Sequence, residues 1–177
     1  MSSHRYVKPQ LDRLEKKLIE FGDGKTATEL CREANFTEVS RLADEFVKSP
    51  KFRVEKEHGE TELVYVCFND RPTTQEVLDV FKEHRYDLPT EEDALRFAKK
   101  FPREQTVRPI AFLHLENLWY SDSSFSGGIK LPHVLVLGSK KLQPTLLMHQ
   151  LPGGDDRTVG NWFNIHRFAA RVRPTRK

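Results

Sequence analysis

With 177 residues the chain can form one large domain or two small ones, and 37% hydrophobic against 31% charged residues puts it on the polar side of globular composition. Cys31 and Cys67 are too few and too widely separated for a zinc site or a disulfide framework, and read as free thiols of a reducing compartment. No apolar run is long enough to cross a membrane and no secretory leader is apparent, so a cytoplasmic location is expected, or a nuclear one in a eukaryote.

Residues 10–21 carry Leu11, Leu14, Leu18 and Phe21 at the spacing of one helical face, and Gly22-Asp23-Gly24 ends the run. Thr26-Ala27-Thr28-Glu29 fits a capping box opening a second helix with Leu30, Cys31 and Ala34 inward. Asn35-Phe36 makes a turn. Thr37 is the expected N-cap of a third helix carrying Val39, Leu42, Ala43, Phe46 and Val47, stopped by Ser49-Pro50. Residues 51–56 and 61–66 alternate on either side of His58-Gly59, a hairpin pattern.

Three short helices followed by a β-hairpin resemble a winged helix-turn-helix domain over the first third of the chain. An ordinary helical bundle with an unrelated hairpin is the competing reading. The resemblance implies docking on nucleic acid or protein rather than catalysis, with the third helix offering Thr37, Ser40 and Arg41 to base edges. Charge argues the other way: residues 26–69 hold nine acidic and six basic side chains, a net of −3. Phosphate neutralisation dominates nucleic-acid affinity, so Glu38, Glu45, Glu55, Glu57 and Glu60 point instead to a basic protein partner.

Asn69 to Pro72 reads as a junction, dividing the chain into a winged-helix-like domain (1–69) and an α+β domain (70–177). Thr73 and Thr90 each open a helix, the first with Val77, Leu78, Val80 and Phe81, the second with Ala94, Leu95, Phe97, Ala98 and Phe101. In the second, acidic Glu91-Glu92-Asp93 and basic Lys99-Lys100 complement the helix dipole. Strands are expected within residues 107–119, 133–137 and 145–151, and, against a helical alternative, 161–172; residues 121–130 read as a loop. The expected fold class is α+β: a winged helix-turn-helix, then two helices and a small antiparallel sheet.

Residues 100–177 hold twelve basic and five acidic side chains, a net of +7. Lys99, Lys100, Arg103 and Arg108 form one basic cluster with Arg96, and Arg167, Arg171, Arg173 and Arg176 another with His166 and Lys177. Trp119, Tyr120, Phe125 and Trp162 interleave with them and could stack on bases of DNA or RNA if exposed. Four histidines, His114, His133, His149 and His166, fall one per expected strand, with Glu116 two residues after His114. Imidazole and carboxylate are good zinc or iron ligands, but the spacing follows no metal motif, and core or surface histidines are the simpler explanation. Asp155-Asp156 reads as a turn rather than a metal pair, and Lys140-Lys141 as a solvated turn.

No nucleophile elbow, phosphate loop or thiol-redox pair occurs, so no catalytic residue, cofactor or metal is assigned. The ranking places a non-enzymatic nucleic-acid-associated or regulatory protein first, a protein-interaction module next and a small metal-dependent enzyme third.

Overall fold

The computed structural model describes residues 9–10, 16–122, 130–151, 162–163 and 166–173. In chain order the elements are β1 (Pro9–Gln10), β2 (Lys17–Phe21), α1 (Ala27–Glu33), β3 (Glu38–Val39), α2 (Arg41–Val47), β4 (Gly59–Phe68), α3 (Thr74–Glu83) and β5 (Tyr86–Asp87). They continue with α4 (Glu91–Lys100), α5 (Glu104–Val107), β6 (Ile110–Phe112), β7 (Trp119–Asp122), β8 (Lys130–Lys140), β9 (Gln143–Gln150) and β10 (Arg167–Val172). A 3-10 turn, Leu115–Asn117, links β6 to β7.

One mixed sheet runs β1-β4-β10-β6-β8-β9-β3, with β2 on β4, β5 on β10 and β7 on β8. Pairing is antiparallel except between β10 and β6 and between β3 and β9. Its two faces bury separate cores. Leu135, Leu137, Phe112 and Ala169 pack with α1, α2 and α4, while Val134, Val136, Leu113 and Phe168 pack with α3 and Trp162. Neighbouring residues of β8 go to opposite cores, as the pleat of a strand covered on both sides requires.

This strand-rich architecture replaces the expected winged helix-turn-helix with a small antiparallel sheet. Helical spacing over residues 10–21 assigned Leu18 to a core. The chain from Lys17 to Phe21 is a strand instead, with Ile19 fully buried and Leu18 40% exposed. The expected hairpin is absent as well. Residues 51–58 form no strand, and β4 pairs with β2 on one side and β10 on the other, its register running Leu63↔Lys17 and Leu63↔Arg171. Thr37 does not cap the third helix: its N–H donates to the Pro144 carbonyl at 2.9 Å, Glu38 and Val39 join β9, and Ser40 is the cap of α2. β-Branched Thr37 and Val39, with a sheet edge within reach, favour extended backbone over one more helical turn.

Local signals fared better. The Thr26–Glu29 capping box is present, and Thr73–Glu76 and Thr90–Asp93 form two more. The last expected element is a strand, β10, at the centre of the sheet. Gly22 has φ +72°, and a Cβ there would lie 2.0 Å from the Glu57 carbonyl oxygen, so this turn demands glycine.

The β8–β9 hairpin turns on Lys141 (φ 53°) and Leu142 (φ 63°), the left-handed pair that a type I′ turn requires, without the Asn-Gly that suits it. Leu142 is 79% exposed, so its side chain gains little from packing. Replacing the pair by Asn-Gly is expected to raise unfolding free energy by about 1–2 kcal/mol, read as a higher urea midpoint at unchanged slope.

Candidate functional site

Three consecutive carboxylates open α4, and each is less than 4% exposed: Glu91 (3%), Glu92 (1%) and Asp93 (0%). The positive end of the helix dipole favours acids there, but the burial of all three needs partners as well. Glu91 Oε1 accepts from the Arg53 backbone N–H at 2.9 Å and from the Asn117 side-chain amide, which also donates to the Lys51 carbonyl at 2.6 Å. Glu92 accepts from the Glu55 N–H at 2.6 Å and from Arg96 Nε at 2.9 Å. Asp93 accepts from Arg171 through both oxygens, at 2.6 and 2.8 Å, and from the Thr90 N–H at 2.8 Å as the helix cap.

Arg96 also forks onto Asp23 at 2.6 and 2.8 Å. This contact holds the Asp23 carboxyl well below the usual carboxylate range. Burial pushes Glu92 upward, against the lowering effects of the Glu55 N–H and Arg96. Glu92 is therefore the strained member of the row, and its two donors only partly offset the loss of water.

A cleft of about 1160 Å³ lies over this helix start. Residues 50–57 form one wall, and β5, residues 88–90 and the end of β10 form the other; Glu91, His114 and Asn117 contribute from below. Phe52 is buried and Val54 half-buried, so the wall segment is anchored by apolar packing as well as by the carboxylates. Glu55, Glu57 and Glu116 face the cleft alongside Arg53, Lys56 and Arg173. A second groove of about 640 Å³ follows the other side of the same segment.

His114 is fixed as a neutral ring. Its Nδ1 lies 2.9 Å from the Asn117 carbonyl, which only accepts, so Nδ1 carries the proton. Its Nε2 accepts from the Leu135 N–H at 2.9 Å, which extends the β8 hydrogen bonding where β6 has ended. With both nitrogens engaged, it is no metal ligand. His133 sits on the same sheet face, with Nδ1 donating to the Leu131 carbonyl at 2.8 Å, while His149 and His166 lie on the opposite face, 5.5 Å apart between ring centres. The four histidines thus split two and two across the sheet. Among the described residues no three His, Cys, Asp or Glu side chains are placed to share one ion.

The expected phosphate-binding residues do not form one surface. Arg41 pairs with Glu45 at 3.1 Å, Lys99 with Glu33 at 2.6 Å, Lys100 with Glu20 at 3.9 Å and Arg173 with Asp87 at 2.6 Å. Arg167 is buried beneath α5, bonded to the Glu104 carboxylate at 3.3 Å and the Arg108 carbonyl at 3.1 Å. Arg171 belongs to Asp93, at the opposite end of α4 from Lys99. Thr37 lies against β9 through its backbone N–H, and the Ser40 hydroxyl is spent on the α2 cap. Arg103 and Arg108 are exposed, and Arg176 lies outside the described residues.

Of the expected stacking aromatics, Trp162 is 2% exposed and Trp119 packs on Phe46 with ring centres 5.4 Å apart, leaving Tyr120 exposed; Phe125 lies outside the described residues, as do Asp155 and Asp156. Lys140 pairs with Glu38 at 2.7 Å. Glu45 is spent on Arg41, and Glu60 sits opposite Glu20 in the β2–β4 register. Only Glu55 and Glu57 of the expected protein-docking set reach the cleft. In the sequence Glu91, Glu92 and Asp93 read as a complement to the helix dipole; three adjacent acids, spread over a wide arc of the helix, were the signal that one would have to turn inward.

No family model, curated protein or solved structure matches this chain.

Two outcomes test this network. Asp93→Ala leaves Arg171 without its buried partner and removes the α4 cap, which should cost about 3–5 kcal/mol in urea unfolding. For His114, burial lowers the pKa despite the nearby Glu91 carboxylate. The unfolded chain takes up a proton below about pH 6.5 and the folded ring resists it, so stability falls as pH drops below that value. His114→Asn should be less stable at neutral pH and lose part of that fall, as read from urea midpoints between pH 7.5 and about 5.

Proposed function

We propose that this chain is a non-enzymatic interaction module that receives a polypeptide segment of a partner protein in the cleft over the start of α4. The observation that supports this most is the saturation of the cleft floor. Glu91, His114 and Asn117, with Arg171 beside them, each spend polar atoms on neighbouring groups, so among the described residues none of these four is left free as a general base, nucleophile or ligand. A volume of about 1160 Å³ exceeds the usual range for small-molecule sites, about 300–1,000 Å³, and suits an extended peptide.

Apolar contact would come from Val54, Leu88 and Pro89. Charge selects the partner. Asp93 and Asp87 neutralise Arg171 and Arg173, so Glu55, Glu57 and Glu116 outweigh Arg53 and Lys56 on the walls. A segment carrying Lys or Arg is favoured over a phosphate backbone, since most of the basic groups that would grip nucleic acid already hold carboxylates.

Random dodecapeptides displayed on phage and selected on the folded protein should enrich Lys- or Arg-containing sequences. Glu57→Lys with Glu116→Lys should weaken the enriched peptides about tenfold or more without lowering the melting temperature. Enriched peptides indifferent to that double substitution would remove the cleft as the site. Salt-sensitive anisotropy changes with labelled duplex DNA, single-stranded DNA or RNA, in the absence of peptide binding, would put a nucleic acid in the partner's place.

A further inference from the structure

On the sheet face opposite the cleft, His149 of β9 and His166, just ahead of β10, bring their rings within 5.5 Å at an interplanar angle of 73°. His166 is 3% exposed. Its Nδ1 lies 3.3 Å from the Phe163 carbonyl oxygen, an atom that can only accept, so Nδ1 carries the proton and Nε2 the lone pair. That Nε2 is buried and has no hydrogen-bond partner. A buried acceptor without a donor is costly, and in a native core it calls for an explanation. Trp162 and Phe163 flank the ring, with centroids at 5.3 and 6.2 Å, and offer it no further donor.

We propose that His149 and His166 bind a late first-row divalent cation, of the zinc, nickel or copper class, between their rings. An imidazole whose Nδ1–H is held by a carbonyl while Nε2 is left bare has the arrangement that metal-ligating histidines adopt. A metal about 2.0–2.1 Å from a ring nitrogen lies about 3.2 Å from that ring's centre, so two rings sharing one ion stand about 5–6 Å apart. The observed separation falls in that interval. Burial, with the other histidines nearby, pushes the His149 pKa down, and burial does the same for His166.

His133, though near in sequence register, points to the other face because it pairs with Gln150 while His149 pairs with Val134. With two protein ligands among the described residues, water completes the coordination sphere, which leads to an affinity on the order of micromolar rather than that of a closed structural site. Bound there, the ion would tie β9 to the segment entering β10, which lie on either side of β8 and β6 in the strand order.

Trp162 is the built-in reporter, 5.3 Å from His166. Titration of the metal-free protein with Cu²⁺ should quench tryptophan fluorescence to saturation at one equivalent, and calorimetry with Zn²⁺ should give the same stoichiometry. His149→Ala should raise the dissociation constant about tenfold or more, whereas His58→Ala, at an exposed histidine elsewhere, should leave it unchanged. His166→Gln is the second variant, with circular dichroism verifying its fold, and it should abolish quenching. Absence of saturable binding at 100-fold excess metal would overturn the site, as would binding that survives both substitutions.

Discussion

Burial of three adjacent carboxylates at the start of α4 is the constraint on which the rest of the structure depends. Each acid must recover by contact what it loses in hydration, and the available donors lie far away in sequence: Arg53 and Glu55 backbone amides, the Asn117 side chain, Arg96 on the same helix, and Arg171 on β10. The helix start therefore fixes the wall of the cleft, the turn after β6 and the exit of the central strand together. Removing one partner leaves a charge stranded, so the network is far more sensitive to single losses than to its own net contribution.

The same network decides what the surface can do. Arg171 reads in isolation as a cation available to a phosphate, and Arg167 likewise; both are instead internal ties, one to Asp93 and one to Glu104. A cation already neutralised by a carboxylate in a half-buried ion pair cannot replace the counterions condensed on a polyanion without breaking that pair, so it adds little to polyanion binding. What remains on the cleft walls is a mixed and slightly acidic lining over a floor whose polar groups are paired with neighbouring segments.

The two faces of the sheet also divide the histidines according to the pleat. His114 and His133 are consumed in backbone hydrogen bonding on the face covered by α1, α2 and α4, whereas His166 keeps a bare nitrogen on the face covered by α3. Four histidines spaced one per strand look alike in the sequence. Their fates diverge because alternation assigns sides, and because only some backbone groups at a strand end lack a partner.

How far the sequence alone could reach follows from the range of the forces involved. The three capping boxes were legible because a threonine and an acid three residues on satisfy each other within one turn, whatever else the chain does. The strand character of β8 and β9 was legible for a similar reason, since β-branched and apolar runs bounded by turn residues favour extended backbone locally, whereas residues 161–172 alternate too poorly for the sequence to separate strand from helix. Partners were not. A strand's hydrogen bonds are made with another segment, so β4 looked like half of a local hairpin until β2 and β10 took its two edges, and Leu18 looked like a core residue until pairing put Ile19 there. The tertiary structure alone decided which charges are free, because an ion pair depends on distances that exist only once residues 23, 53, 117 and 171 have been brought to one end of α4.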